Sequence, residues 1–355
     1  MNLEDIGYNN IINKSVLDSG LDKSTIGRVI AVFRDMYLVK TDSDELKTTI
    51  TGNLQNTIEE KSELPIIGDW VCFNKYDDKN AFIIQILPRN NFIERRSIGK
   101  VTNKQAIAAN IDFGFIVEAA TENFNINRIE RYLSICNSAN VNPIILLTKI
   151  DLISEKELVK IINDLQKRID SVPLFPINNI KNIGIEELKS SLIKGKTYCL
   201  LGLSGVGKST LLNILADKNV MKTREISRRT NKGLHTTSHR EMFFLKSGVI
   251  IIDNPGMREV GITDSTGGIE ITFEKIYELA EKCRFSDCTH THEGGCAVLA
   301  AVEEEQIDKT TYDNYIKMMK EQSRFHTSLV EKRRKDKTFG KMIKSVMKNK
   351  KLENK

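Results

Sequence analysis

No apolar run in this 355-residue chain reaches the roughly 18 residues that a membrane-spanning helix needs. Even GVIIIDNPG is broken by charge and proline. The opening residues, MNLEDIGYNN, are acidic and lack the basic-then-apolar pattern of a secretory leader, so secretion is not expected. There is no internal repeat, and no low-complexity tract apart from a charged C-terminus. Basic character is scarce elsewhere. The last 25 residues carry eleven Lys/Arg against three Asp/Glu, a net +8, while the whole chain carries +6. These absences argue against a membrane partner and confine any polyanion contact to one end, unless the tail is only a solvated, frayed helix. With 40% hydrophobic and 28% charged residues, a cytoplasmic, soluble and monomeric globular protein of about two or three domains is expected.

Six cysteines are present. Cys72, Cys136 and Cys199 stand singly in apolar segments and read as buried small hydrophobes. Cys283, Cys288 and Cys296 instead gather around His290 within fourteen residues. Three thiolates and one imidazole make a closed tetrahedral set, the donor set of a structural Zn²⁺. Clustered cysteines in a cytosolic chain favour metal over disulfide. His292 is a competing ligand, and free thiols are the alternative.

Along the chain, residues 1–24 read as an N-terminal extension. Residues 25–95 hold five short runs rich in Val, Ile, Phe and Tyr (TIGRVIAVF, MYLVKT, TTITGNL, DWVCFNKYD, AFIIQILP), separated by polar turns. Five strands in so short a stretch predict an OB-like β-barrel, which either offers a face to RNA or is a plain adaptor. Over 100–262 strand and helix patterns alternate. Leu158, Ile161, Ile162 and Leu165 have amphipathic-helix spacing, between the buried-strand patterns VNPIILLT and VPLFPIN. Alternation of this kind predicts a mainly parallel sheet with helices on both faces, so the fold class is multidomain α/β. Residues 263–330 read as a helical metal-binding domain and 331–355 as a basic tail.

Gly202-Leu203-Ser204-Gly205-Val206-Gly207-Lys208-Ser209 matches G-x-x-x-x-G-K-[ST], between an apolar strand pattern and a helix pattern. The glycines let successive backbone N–H groups turn inward on phosphates, and the following helix directs its positive end at the anion. Lys208 is expected to reach the β- and γ-phosphates and the Ser209 hydroxyl to ligate Mg²⁺, with Thr210 closing the nucleotide-binding run. IIIDNPG places Asp253 just beyond a buried strand, where it would hold the Mg²⁺ shell, with the Gly256 N–H near the γ-phosphate. Between these elements, Thr236 or Thr237 is a candidate second Mg²⁺ hydroxyl, and His235 or His239 a candidate to orient water. Met257 stands where a water-positioning Gln is found in Ras-like proteins, and a thioether cannot orient water.

Thr148-Lys149-Ile150-Asp151 closes the apolar run IILLTKID. A carboxylate there pairs with guanine N1–H and N2, whereas adenine would leave it desolvated and unpaired. Lys149 would pack its stem over the base. The alternative for Asp151 is a helix N-cap. The base reader precedes the phosphate loop, the reverse of the usual order in guanine-nucleotide switch proteins.

The assembled motifs, RVIAVF, GDWV, ILPRNNFIERR, TKID, GLSGVGKSTLLN, GLHTT, DNPGMRE and CRFSDCTHTHEGGCAV, resemble the RsgA (YjeQ) family of circularly permuted GTPases over nearly the whole length. The resemblance implies an OB barrel, a permuted P-loop GTPase domain and a C-terminal zinc domain. It also implies GTP hydrolysis stimulated by the small ribosomal subunit, with GTP/GDP, that subunit and its rRNA as partners. GTP-binding positions carried over are Thr148 to Asp151 and Gly202 to Thr210; the zinc ligands are Cys283, Cys288, His290 and Cys296. Thr148 stands where many members have Asn, so one amide near the base edge is lost. The next base-side loop falls at Ile177-Asn178-Asn179, with a backbone N–H for guanine O6. A P-loop ATPase or kinase, and an RNA-binding scaffold with a slow nucleotide latch, are the rival readings.

Overall fold

The computed structural model describes residues 2–34, 36–96, 104–169, 171–217, 240–253, 266–324 and 334. Five strands follow the first helix: β1 (Ile26–Val32), β2 (Tyr37–Lys40), β3 (Glu45–Ile50), β4 (Trp70–Lys75) and β5 (Asn80–Ile86). β1 pairs with β2, β2 with β3, β3 with β5, β5 with β4, and β4 returns to β1. That ring of pairings closes a barrel and removes its edges. Alternation along β3 and β5 sends Leu46, Ala81 and Ile83 inward, where they meet Val29, Val39, Val71 and Phe73. The third strand lies earlier than the run TTITGNL suggests. Its last residues belong to α2 (Gly52–Thr57), which Thr51 caps by accepting from Leu54 N.

The N-terminal residues are packed against the barrel. α1 (Asn10–Asp18) starts at Asn9, whose side chain accepts from Ile11 N and Ile12 N. Ile6, Tyr8, Ile12 and Val16 bury against Ile26, Trp70 and Leu87. Arg28, on β1, is 1% exposed and spends its guanidinium on backbone carbonyls. It donates to Ile6 O (2.8 Å), Gly68 O (3.4 Å) and Asn110 O (3.0 Å), joining the N-terminal segment, the barrel and the start of the next domain.

A hairpin of β6 (Phe92–Arg96) and β7 (Lys104–Ala109) leads into the second domain. Its strands are β8 (Phe113–Ala119), β9 (Asn142–Thr148), β10 (Leu174–Pro176), β11 (Thr197–Leu201), β12 (Arg240–Phe244) and β13 (Ile250–Asp253). In space they run β10-β9-β8-β11-β13-β12, all parallel except β12. α3 (Ile126–Ser138) and α4 (Glu155–Arg168) cover one face. α5 (Ile185–Ser191) and α6 (Lys208–Leu215) cover the other. Buried on both faces, β11 and β13 are apolar throughout save for Thr197 and the terminal Asp253, as central parallel strands require. β12 also pairs with β1, through Ala31 with Glu241 and Val32 with Arg240, so barrel and sheet form one 11-stranded hydrogen-bonded surface.

The C-terminal region is helical: α7 (Thr266–Thr272), α8 (Glu274–Ala280), α9 (Ala297–Glu303) and a further helix over 309–324. Its core is Ile269, Phe273, Ile276, Val298, Ala301, Ile307, Tyr315 and Met318. α7 lies so close on α3 that a Cβ at Gly268 would sit 2.0 Å from Ser134 O. Ser134 Oγ and Asn137 Nδ2 both donate to Thr272 Oγ1 at 3.0 Å. A second junction is ionic. Arg168 forks onto the buried Glu130 carboxylate, which also accepts from Asn314 Nδ2 at 2.5 Å. Among the described residues, no helix is long and apolar enough to cross a membrane. Cys72, Cys136 and Cys199 are buried, and burial pushes the Cys136 thiol far up.

Candidate functional site: a nucleotide cleft and a metal centre

Loops following β9, β10 and β11 leave the same edge of the parallel sheet, the carboxyl edge where open α/β sheets bind ligands. The loop after β11 is glycine-dependent. Gly202 has φ 148° and its Cβ would lie 2.3 Å from Val117 O, while Gly205 and Gly207 have φ 85° and 102°. Val206 is buried and pins the loop, whereas Ser204 and Gly205 are exposed and Leu203 is half-buried. Gly207 caps α6, so Lys208, Ser209 and Thr210 form its first turn and its N-terminal N–H groups open toward the loop. Lys208 Nζ donates to Gly202 O (2.8 Å) and Leu203 O (2.6 Å). Burial holds its pKa below the usual lysine value, opposed by the charge of Asp253. Asp253, 5% exposed, is the last residue of β13, so its carboxylate and the Lys208 ammonium share this edge.

Thr148 ends β9 fully buried. Its hydroxyl lies 2.5 Å from Val206 O and 3.2 Å from Glu118 O, tying the base-side strand end to the phosphate loop. Lys149 turns left-handed (φ 57°) into a short 3-10 turn, Ile150–Leu152, where Asp151 is exposed. The cap of α4 is Ser154. It accepts from Glu157 N, and Glu157 reaches back to Ser154 N in a capping box. Asp151 is therefore not needed to start that helix, which removes the local alternative to base reading.

The loop after β10 is the expected base-side loop, Ile177-Asn178-Asn179, and its two Asn side chains make contacts that motif reading did not anticipate. Asn178 is 1% exposed and its Oδ1 accepts from Ile180 N (2.9 Å) and Lys181 N (3.1 Å), folding the loop on itself. Asn179 Nδ2 donates to Gly207 O at 3.2 Å. An Asn pair after a short strand signals an Asx turn, but not the reach across to another loop. His235, Thr236, Thr237 and Gly256 lie outside the described residues, as do Met257 and nearly all of the basic tail.

The second centre lies in the C-terminal helices. Cys283, Cys288, His290 and Cys296 place one ligand atom each within 4.8 Å of one another and can hold a metal ion. Cys283 Sγ and Cys296 Sγ are 3.8 Å apart, and they lie 3.5 Å and 3.4 Å from His290 Nδ1. Bonds of about 2.3 Å to sulfur and about 2.0 Å to nitrogen at tetrahedral angles give edges of about 3.8 Å and about 3.5 Å, so the donor set fits such a centre. Tyr312 donates to His290 O at 2.6 Å, and Cys296 caps α9 by accepting from Leu299 N, so the cluster ties several helices together. His292 is exposed and outside the cluster.

A phosphate loop and a carboxylate-bearing strand end at one sheet edge, with the base-side strand earlier in the chain, define a P-loop nucleotide-binding protein of permuted order. The model of the RsgA GTPase family matches residues 86–263, and that of a 50S ribosome-binding GTPase family matches 197–332. The small ribosomal subunit biogenesis GTPase RsgA 2 of Listeria monocytogenes is 40% identical over 90% of this chain and 89% of its own. RsgA 1 of Bacteroides thetaiotaomicron is 37% identical over 91% and 90%. The crystal structure of YjeQ from Thermotoga maritima superimposes with a TM-score of 0.61 at 25% identity, covering 86% of this chain and 98% of that one. That of YloQ, titled a circularly permuted GTPase, gives 0.58 at 25%, covering 83% and 94%. The chain belongs to the RsgA GTPase family, and it is a GTP hydrolase.

Proposed function

We propose that this protein hydrolyses GTP during maturation of the small ribosomal subunit, and that the nucleotide state controls binding to and release from that particle. The single observation carrying the reading is the Thr148–Val206 contact, which brings the T-K-x-D strand end onto the phosphate loop. The relatives supply the particle, being named small ribosomal subunit biogenesis GTPases. Thr148 to Asp151 bind the guanine, with the Asp151 carboxylate accepting from N1–H and the N2 amino group. Gly202 to Thr210 wrap the phosphates, and Lys208 moves its ammonium from the loop carbonyls to the β- and γ-oxygens. Mg²⁺ bound with the nucleotide neutralises charge developing on the phosphates; Ser209 and Asp253, with Thr236 or Thr237, would hold it, and the Gly256 N–H would meet the γ-phosphate. His235 orients the attacking water, since Met257 cannot. Zn²⁺ fills the Cys283, Cys288, His290 and Cys296 site as a structural ion. The monomeric, cytoplasmic protein contacts rRNA through its barrel, zinc domain and basic tail (331–355).

The test is the steady-state GTP hydrolysis rate with and without purified small subunits. Acceleration by the subunit, abolished by Lys208→Ala, is expected. An unchanged rate would leave an RNA-binding scaffold with a slow latch as the better reading. If ATP displaces labelled GTP as well as GDP does, the guanine assignment fails.

A further inference from the structure

The Thr148 hydroxyl, at the end of the base-side strand, is committed to Val206 O. The neighbouring peptide carbonyl, Gly207 O, receives a side-chain amide from elsewhere: Asn179 Nδ2, 3.2 Å away, on the loop after β10. Two successive carbonyls of the phosphate loop are thus each held by a donor from the base side. In a trans peptide the C=O and the following N–H point in opposite directions, and the described chain has no cis bonds. Fixing Val206 O and Gly207 O toward the base side therefore aims the N–H groups of Gly207 and Lys208 the other way. Those are N–H groups of the kind that meet phosphate oxygens in a glycine-rich loop opening a helix.

Two further observations indicate that the Asn179 amide serves the loop, at a carbonyl that α6 also holds through Leu211 N at 2.9 Å. Asn179 Oδ1 is buried and accepts no hydrogen bond, an arrangement unfavourable to the amide itself. Finally, the Asn178 turn and the bond from Asn178 N to Ile183 O (3.0 Å) brace the loop that presents Asn179. A Cβ at Gly207 would come within 3.0 Å of Nδ2, so glycine there leaves room for the bond as well as for the turn.

We infer that Asn179 is a further nucleotide-positioning residue: from the base-side loop, its side-chain amide orients the Gly207–Lys208 peptide toward the phosphates. The inference rests on the guanine-nucleotide reading above. Asn179→Asp is nearly isosteric, replaces the donor by oxygen and opposes it to Gly207 O; Asn179→Ala removes the amide outright. For Asn179→Asp, GDP affinity by fluorescent-nucleotide titration is expected to fall about tenfold or more. The ³¹P resonance of the bound β-phosphate is expected to move from its wild-type position. GDP affinity within twofold of wild type, or weakened affinity with an unmoved β-phosphate resonance, would overturn the inference; Asn179→Ala gives the same readouts should the aspartate variant not fold. Wild-type protein that binds ADP as tightly as GDP would defeat the guanine reading without touching this peptide.

Discussion

Replacing Arg168 by Met should loosen the C-terminal helices from the nucleotide-binding domain, and by an amount set by pH. Arg168 donates Nε and Nη2 to Glu130 at 2.9 and 2.7 Å, and the Glu130 side chain is 2% exposed. Methionine keeps much of the stem and removes the charge, leaving a buried carboxylate with Asn314 as its remaining donor. Removing one partner of a buried ion pair costs about 3–5 kcal/mol. Protonation limits that cost. Neutralising a carboxyl above its reference pKa of ~4.3 costs ~1.4 kcal/mol per pH unit, so the ceiling is ~3.7 kcal/mol at pH 7 and ~1.6 at pH 5.5. Burial already holds the Glu130 pKa above the usual carboxylate value, with Arg168 opposing the rise. Removing Arg168 therefore raises it further. A carboxyl whose folded pKa exceeds its unfolded one gives a penalty that is absent below the unfolded pKa and grows as pH rises through the folded one. Hydrogen-exchange protection over 309–324 should drop strongly at pH 7.5 and less at pH 5.5, and Glu130→Gln added to Arg168→Met should restore most of it. Equal losses at both pH values, or no recovery in the double variant, would refute this account of the junction.

If the Cys/His cluster holds a metal, a chelator, or Cys288→Ser, should unfold the helices around it while leaving GDP binding within a few-fold, read by far-UV circular dichroism beside nucleotide titration; retained helicity under chelation would count against the closed four-ligand site. Gly202→Ala should destabilise the phosphate loop by about 1–3 kcal/mol, because φ is 148° and the new Cβ meets Val117 O. The observable is a lower melting temperature together with weaker GDP binding, and an alanine variant matching wild type in both would remove the steric argument.

Much of the site was legible because its chemistry is local. The phosphate loop needs its glycines within one turn, and the Cys/His cluster draws its ligands from fourteen residues. Long-range consequences were less visible. Nothing local marks out Arg28, yet its guanidinium finds three carbonyls from segments far apart in the chain. Thr148 reads as a weak point, whereas its hydroxyl secures the phosphate loop. Asn179 is legible as part of the base-side loop through its backbone N–H, but the reach of its side chain to a residue 28 positions away is not. The C-terminal helices follow IIIDNPG in sequence, but they rest on α3 and reach Arg168 of α4, an arrangement no motif records. That docking sets the C-terminal helices against the two helices that cover one face of the parallel sheet.

The pairing of β1 with β12 bears on how the molecule is held by whatever it grips. The barrel is not strung on a linker: Ala31 and Val32 share a ladder with Glu241 and Arg240, and β12 in turn registers Glu241 beside Asp253. Arg28 adds a bond to Asn110 O, just before β8. Swinging the barrel away would break those bonds and expose their polar groups together. A partner that captured the barrel would therefore also fix the compass bearing of the sheet's carboxyl edge, because the two turn as one piece.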